Sequence, residues 1–198
     1  MLGLRAIAPG ALAIAMLLSG CVHQPTRPSG PVPADLGQLE HWQSHGRIAV
    51  SAADSGGSGS FTWNQDRDQS NVNIHGPIGI GSVNLQLRGD PSSPHVELRT
   101  AKGQVFEGDA AWRELEASLG APVPAGYLRY WMLGLPAPGD HQWISQDPQG
   151  SSTLEQSGWR IEYQQYSADA GARVPTRIRA VSGDARVRIV IDAWQLGR

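Results

Sequence analysis

The chain has 198 residues, of which 40% are hydrophobic and 17% charged, and its formal net charge is −2. No block of like charge stands out, so nothing points to nucleic acid or to a strongly acidic or basic surface as partner. Its single cysteine, Cys21, excludes an intrachain disulfide, and the length suits one domain that must hold itself together by its core.

The N-terminus has three parts: Met1 to Arg5 with one positive charge, a mostly apolar stretch from Ala6 to Leu18, and then Leu18-Ser19-Gly20-Cys21. The apolar run is about 13 residues against the roughly 20 that a spanning helix needs, which suits a signal-peptide core. The last four residues resemble the lipobox of bacterial lipoproteins, in which small residues admit a peptidase and the cysteine sulfur takes a diacylglyceryl group. An ordinary signal peptide with a chance cysteine is the competing reading. The expected partition is a signal peptide at 1–20, an acylated N-terminus and tether at 21–35, and one folded domain at 36–198. The tether carries Pro25, Pro28, Pro31 and Pro33 among polar residues and cannot bury a core.

Leu36 to Ser44 is compatible with a short helix that places Leu36, Leu39 and Trp42 near one face. From Gly46 the period changes to two. Strands are expected from Arg47, over Ser60–Asn64, Asn71–His75, Ser82–Arg88 and Val96–Arg99, and at Gln104–Phe106. Gly- and Asp-rich breaks separate them, including 54–59, and this is the pattern of an antiparallel meander with one buried face. Asp109 then caps a helix running to Leu119, and a second, nearly all-apolar helix follows over Ala125–Leu133. Strands resume at Ser152–Gln156, Trp159–Tyr166, Thr176–Val181 and Ala185–Ala193. The plan is mainly β with a helical insert, one sheet curling around that insert as a lid or plug.

No catalytic set emerges. His41 and His45 share a helix face if that segment is helical, yet no further residue completes a metal site. Gly56-Gly57-Ser58-Gly59-Ser60 falls one residue short of a nucleophile elbow and reads better as a hairpin turn. Gly76-Pro77-Ile78-Gly79-Ile80-Gly81 has spaced glycines without a following helix, so it is no phosphate loop. An enzyme is disfavoured, and no cofactor motif is visible.

The apolar residues are more informative. Trp63, Trp131, Trp159 and Trp194 fall in strands or the insert helix that should face the interior. They either pack a core or line an apolar pocket beneath the helix. Ile78 and Ile80 stand in a loop where polar residues are usual. They either fold back into the core or form an exposed apolar finger for a membrane or partner.

Phe61-Thr62-Trp63-Asn64-Gln65, Gly76-Pro77-Ile78-Gly79, Leu128-Arg129-Tyr130-Trp131-Met132-Leu133-Gly134-Leu135-Pro136, Trp159-Arg160-Ile161-Glu162-Tyr163 and Ile191-Asp192-Ala193-Trp194 occur in the order of one family. Across nearly its whole length the chain resembles the LolB family of outer-membrane lipoprotein receptors. The resemblance implies an incomplete antiparallel β-barrel, a half-barrel, with an α-helical lid enclosing a hydrophobic cavity. Acyl chains would sit there against Trp63, Trp131, Trp159, Trp194, Leu128 and Leu133. It implies a monomer that accepts acylated lipoproteins from the periplasmic carrier LolA and inserts them into the inner leaflet of the outer membrane. Insertion would use a loop with an apolar tip, here Ile78 and with it Ile80, and Gly76 replaces the family's usual Asn. Val22 in place of Asp after the acylated cysteine implies the outer membrane, with the domain facing the periplasm. A lipoprotein binding another hydrophobic ligand, or acting as a structural partner, is the alternative.

Overall fold

A computed structural model describes residues 35–52, 55–76, 81–119, 124–147, 150–167 and 171–197. Cys21, the proline-rich tether, Ile78 and Ile80 lie outside these residues. After a short 3-10 turn at Leu36–Gln38 come strands β1 (His41–Ala52), β2 (Ser55–Asp66), β3 (Gln69–His75), β4 (Val83–Arg88), β5 (His95–Thr100) and β6 (Val105–Glu107). Helices α1 (Gly108–Leu119) and α2 (Ala125–Met132) follow. The chain ends in β7 (Gln142–Gln146), β8 (Ser152–Gln156), β9 (Trp159–Ser167), β10 (Val174–Ser182) and β11 (Ala185–Leu196).

All eleven strands join one antiparallel sheet in the order β6-β5-β4-β3-β2-β1-β11-β10-β9-β8-β7. Each half is a meander, and the two are joined where β1 pairs with β11 from Trp42↔Leu196 to Ser51↔Arg186. The sheet is not closed, and its two edges, β6 and β7, are the strands that the helical segment connects.

Alternation decides which face is apolar. In β4, Val83, Leu85 and Leu87 are buried while Asn84 and Gln86 turn to the other face. There Asn84 donates to Asn71 and Asn73 at 2.9 and 2.8 Å, a polar ladder across β3 and β4 that would be costly to bury. Two-residue turns set three hairpin registers. Arg67 and Ser157 take positive φ (51° each), and Gly183 does the same at 56°.

Two expectations need correction. Leu36–Ser44 is helical only to Gln38, and β1 begins at His41, so His41 and His45 stand on a strand. Spacing three and four suits Leu36, Leu39 and Trp42 on a helix, but pairing on both sides by β2 and β11 outweighs that local preference. Of the break expected at 54–59, residue 54 lies outside the described residues and residues 55–59 are strand: β2 runs from Ser55 and pairs continuously with β1 down to Ala52↔Ser55. Its glycines serve close backbone approach, since a β-carbon on Gly59 would overlap the His75 carbonyl. β7 was not foreseen. Only Trp143 in it is half-buried, and Ile144 is 47% exposed, so it carries no inward-facing alternation.

Gly46 marks the one irregularity in the β1–β11 ladder, between His45 and Gly46. A β-carbon there would overlap the Val190 carbonyl oxygen. Gly46→Val should therefore destabilise the domain by about 1–3 kcal/mol or more in denaturant unfolding, as overpacking of a close backbone contact does.

Candidate functional site

One face of the sheet gathers around an apolar pocket of about 90 Å³. β1 supplies Ile48 and Val50, β2 Phe61 and Trp63, β3 Val72 and Ile74, and β4 Leu85. From the other half come Trp159 and Ile161 of β9, Ile178 and Ala180 of β10, and Val187 and Ile189 of β11. α1 adds Leu115, and α2 adds Leu128, Trp131 and Met132. Every lining residue is hydrophobic, so a polar or charged ligand would lose its water without compensation.

α2 lies over this pocket because specific contacts seat it. Its buried Gly126 abuts the Pro91 carbonyl in the β4–β5 turn so closely that a β-carbon would overlap it. Arg129 donates to the Arg67 carbonyl at 3.2 Å. Trp131 donates through Nε1 to Gln156 Oε1 at 2.9 Å, and the same oxygen accepts from the Ala137 amide at 2.9 Å. Gln156 Nε2 in turn donates to the Ala137 carbonyl at 2.8 Å. One buried amide thus ties the helix, the segment after it and the end of β8 together, which sequence alone did not reveal.

Of the expected pocket residues, Trp63, Trp131, Trp159 and Leu128 line the pocket. Leu133 is buried just past α2, outside the lining. Trp194 is half-buried and donates to the Pro175 carbonyl at 2.8 Å, and its ring meets Trp42 at 5.3 Å. Trp42 also meets Trp63 at 5.4 Å, so Trp42 links Trp194 to the pocket wall. The large residues Trp63, Trp131, Trp159 and Leu128 were legible in the sequence, while Phe61 and most of the aliphatic lining were not. The signal for those was the strand alternation itself, which puts Ile178 and Ala180, or Val187 and Ile189, on one face.

Tyr163 is fully buried on the same face, with Trp143 and Tyr166 at 6.2 and 6.4 Å between ring centroids. Its hydroxyl has no hydrogen-bond partner among the described residues. Burial pushes the phenol pKa up, and Tyr166 adds to the shift. Among the described residues no group of His, Cys, Asp and Glu could hold a metal ion, and no helix is long and apolar enough to cross a membrane.

Fold and pocket define the class: an open antiparallel sheet protein with two helices and a wholly apolar pocket. A family model described as outer membrane lipoprotein LolB matches residues 40–194, from just before β1 to near the end of β11. The outer-membrane lipoprotein LolB of Stutzerimonas stutzeri is 34% identical over 199 residues, covering 93% of this chain and 95% of its own. That of Pseudomonas aeruginosa is 32% identical over 206 residues, covering 97% of each. That of a Marinomonas strain is 28% identical over 187 residues, covering 93% of this chain and 95% of its own. The chain belongs to the LolB family of outer-membrane lipoproteins.

Gln156→Leu should strand the Trp131 and Ala137 groups, each unmet buried group costing about 1–3 kcal/mol. A loss of at least about 2 kcal/mol in chemical unfolding is the expected result. For Tyr163 the sign follows from its raised pKa. The phenol is neutral in both states at neutral pH, but above about pH 10 only the unfolded chain ionises freely, so stability falls as pH rises. Tyr163→Phe should flatten that alkaline fall in pH-dependent melting and change neutral-pH stability by less than about 1 kcal/mol.

Proposed function

We propose that this chain is a lipoprotein receptor of the outer membrane that takes acylated cargo from the periplasmic carrier LolA and inserts it into the inner leaflet. The observation that carries this reading is the pocket, whose lining is hydrophobic throughout. Such a surface suits acyl chains, which gain about 0.8 kcal/mol per buried methylene. Releasing several chains into water would cost tens of kcal/mol by the same measure, so transfer runs from one apolar enclosure to another. No nucleotide or metal enters this scheme. The protein works as a monomer whose own acylated Cys21 and proline-rich tether keep the domain beside the membrane.

In this reading the open sheet is a half-barrel and the α1–α2 segment is its lid. The pocket of about 90 Å³ is far below the roughly 300–1,000 Å³ of ordinary ligand sites, so the lid must move outward to load cargo. Opening has to break the Trp131–Gln156–Ala137 hydrogen bonds and undock Gly126 from Pro91. The six side chains named from the sequence take two parts. Trp63, Trp131, Trp159 and Leu128 contact the chains directly, while Trp194 and Leu133 shape the walls once the lid has shifted.

Ile78 and Ile80 act as the finger that enters lipid. Its root supports a fixed position. Gly76 has φ 145° and a β-carbon on it would overlap Gly59 Cα, while Gly81 has φ 78°.

Crosslinked transfer of an acylated lipoprotein from purified LolA tests the whole scheme. Ile189→Trp, which fills the pocket from a half-buried position, should lower acceptance severalfold with folding retained. Unchanged acceptance would move cargo binding elsewhere, and binding of free lipid without cargo transfer would favour another hydrophobic ligand. Ile78→Glu should accept cargo normally but deliver little of it to membrane vesicles, because a carboxylate resists entering lipid. Normal delivery by that variant removes the finger from the mechanism.

A further inference from the structure

The outward face of β9, β10 and β11 carries a concentration of arginines that the receptor reading does not use. Register places them. Arg179 on β10 stands directly opposite Arg188 on β11, and Arg177 lies two residues further along β10. Arg186 is paired opposite Val181, which is paired on its other side with Arg160. Three carboxylates serve this face and each is already engaged: Glu155 with Arg160 at 2.6 Å, Glu162 with Arg179 at 3.7 Å, and Asp192 with Arg47 at 3.1 Å. Arg177 and Arg188 have no ion pair among the described residues.

Two further observations single out one part of this face. A surface groove of about 320 Å³ is lined by Gln164, Arg177, Arg179 and Arg188 together with Ile178, Ile189 and Val190. The Nε of Arg179 is shielded from solvent and has no hydrogen-bond partner among the described residues. Like charges directly across a strand pair are destabilising, and a buried guanidinium donor without a partner adds to that cost. An anion with several acceptor oxygens lying across Arg177, Arg179 and Arg188 relieves the like-charge repulsion. Arginine's planar fork suits phosphate, which it binds through paired hydrogen bonds.

We infer that Arg177, Arg179 and Arg188 form a phosphate-recognition site for the headgroups of anionic phospholipids. The strand ends indicate how it meets the membrane. The β10–β11 turn beside Arg186 lies on the same rim of the sheet as the β3–β4 connection that holds Ile78 and Ile80. Arg179 and Arg188 stand three residues back from the closing pair Ser182↔Ala185, about 10 Å from the rim. If the apolar loop enters lipid, as the receptor reading has it, the groove comes to headgroup depth. The orientation rests on that reading; the site itself does not.

The test uses the acylated chain in a non-ionic detergent and a buffer without phosphate, titrated calorimetrically with short-chain phosphatidylglycerol and separately with sodium phosphate. Saturable binding of phosphatidylglycerol is expected, weakened at least tenfold by Arg188→Ala and by Arg177→Ala and unaffected by Arg99→Ala on the remote β5. Sodium phosphate should compete for the same site. Binding of sodium phosphate without binding of the lipid would overturn the headgroup assignment. Absence of both, or equal binding by all variants, would overturn the site. Acceptance of lipoprotein cargo by Arg188→Ala should stay at the parent level, which separates failure of this site from failure of the receptor reading.

Discussion

An apolar sheet face has to be covered, and here the cover is the link between the sheet's own two edges. β6 and β7 end the sheet, and the chain that passes from one to the other contains α1 and α2. Both ends of the segment are fixed by strand pairing, β6 with β5 and β7 with β8. The energetics are balanced accordingly: large apolar groups such as Trp131 and Met132 are buried, each worth about 1.5–3 kcal/mol, while the polar ties are few and local to Gln156 and Arg129. A pocket bounded mainly by nondirectional burial can exchange one apolar neighbour for another at small net cost.

The other half of the design is the seam between β1 and β11. It joins the first and last described strands over most of their length, so the two meanders become one sheet only through pairing of residues far apart in the chain. Trp42 sits at one end of that seam between Trp63 and Trp194, and the three rings connect β2, β1 and β11. The Trp42 ring is 2% exposed, which makes it a structural neighbour of the pocket wall.

Much of this was legible in the sequence. The period-two strands β3, β4, β8 and β11 and the two helices fall close to where patterning puts them, because apolar periodicity is a local signal; Asp109, expected to cap α1, instead lies within its first turn, since the helix already starts at Gly108. β1 and β2 were not fully legible, since a helix-like spacing around Trp42 and a glycine run before Phe61 are local signals that long-range pairing overrides. β7 was silent because it buries almost nothing. For the pocket, Trp63, Trp131, Trp159 and Leu128 were found as large residues at inward positions. The role of Gln156 was invisible, since a single glutamine gives no hint that it will meet an indole and a backbone amide far along the chain. Nor does sequence show that Arg179 and Arg188 become cross-strand neighbours, because that depends on register.

The two free edges have a consequence for life beside a membrane at high protein concentration. An open sheet offers unpaired backbone groups at each end, and these invite another chain to add a strand. β6 is only three residues long and runs straight into a helix, and β7 is five residues long with its register broken between Trp143 and Ser145. Neither presents the long, flat template that strand addition requires. The sheet can therefore stay open along one side without becoming a seed for aggregation.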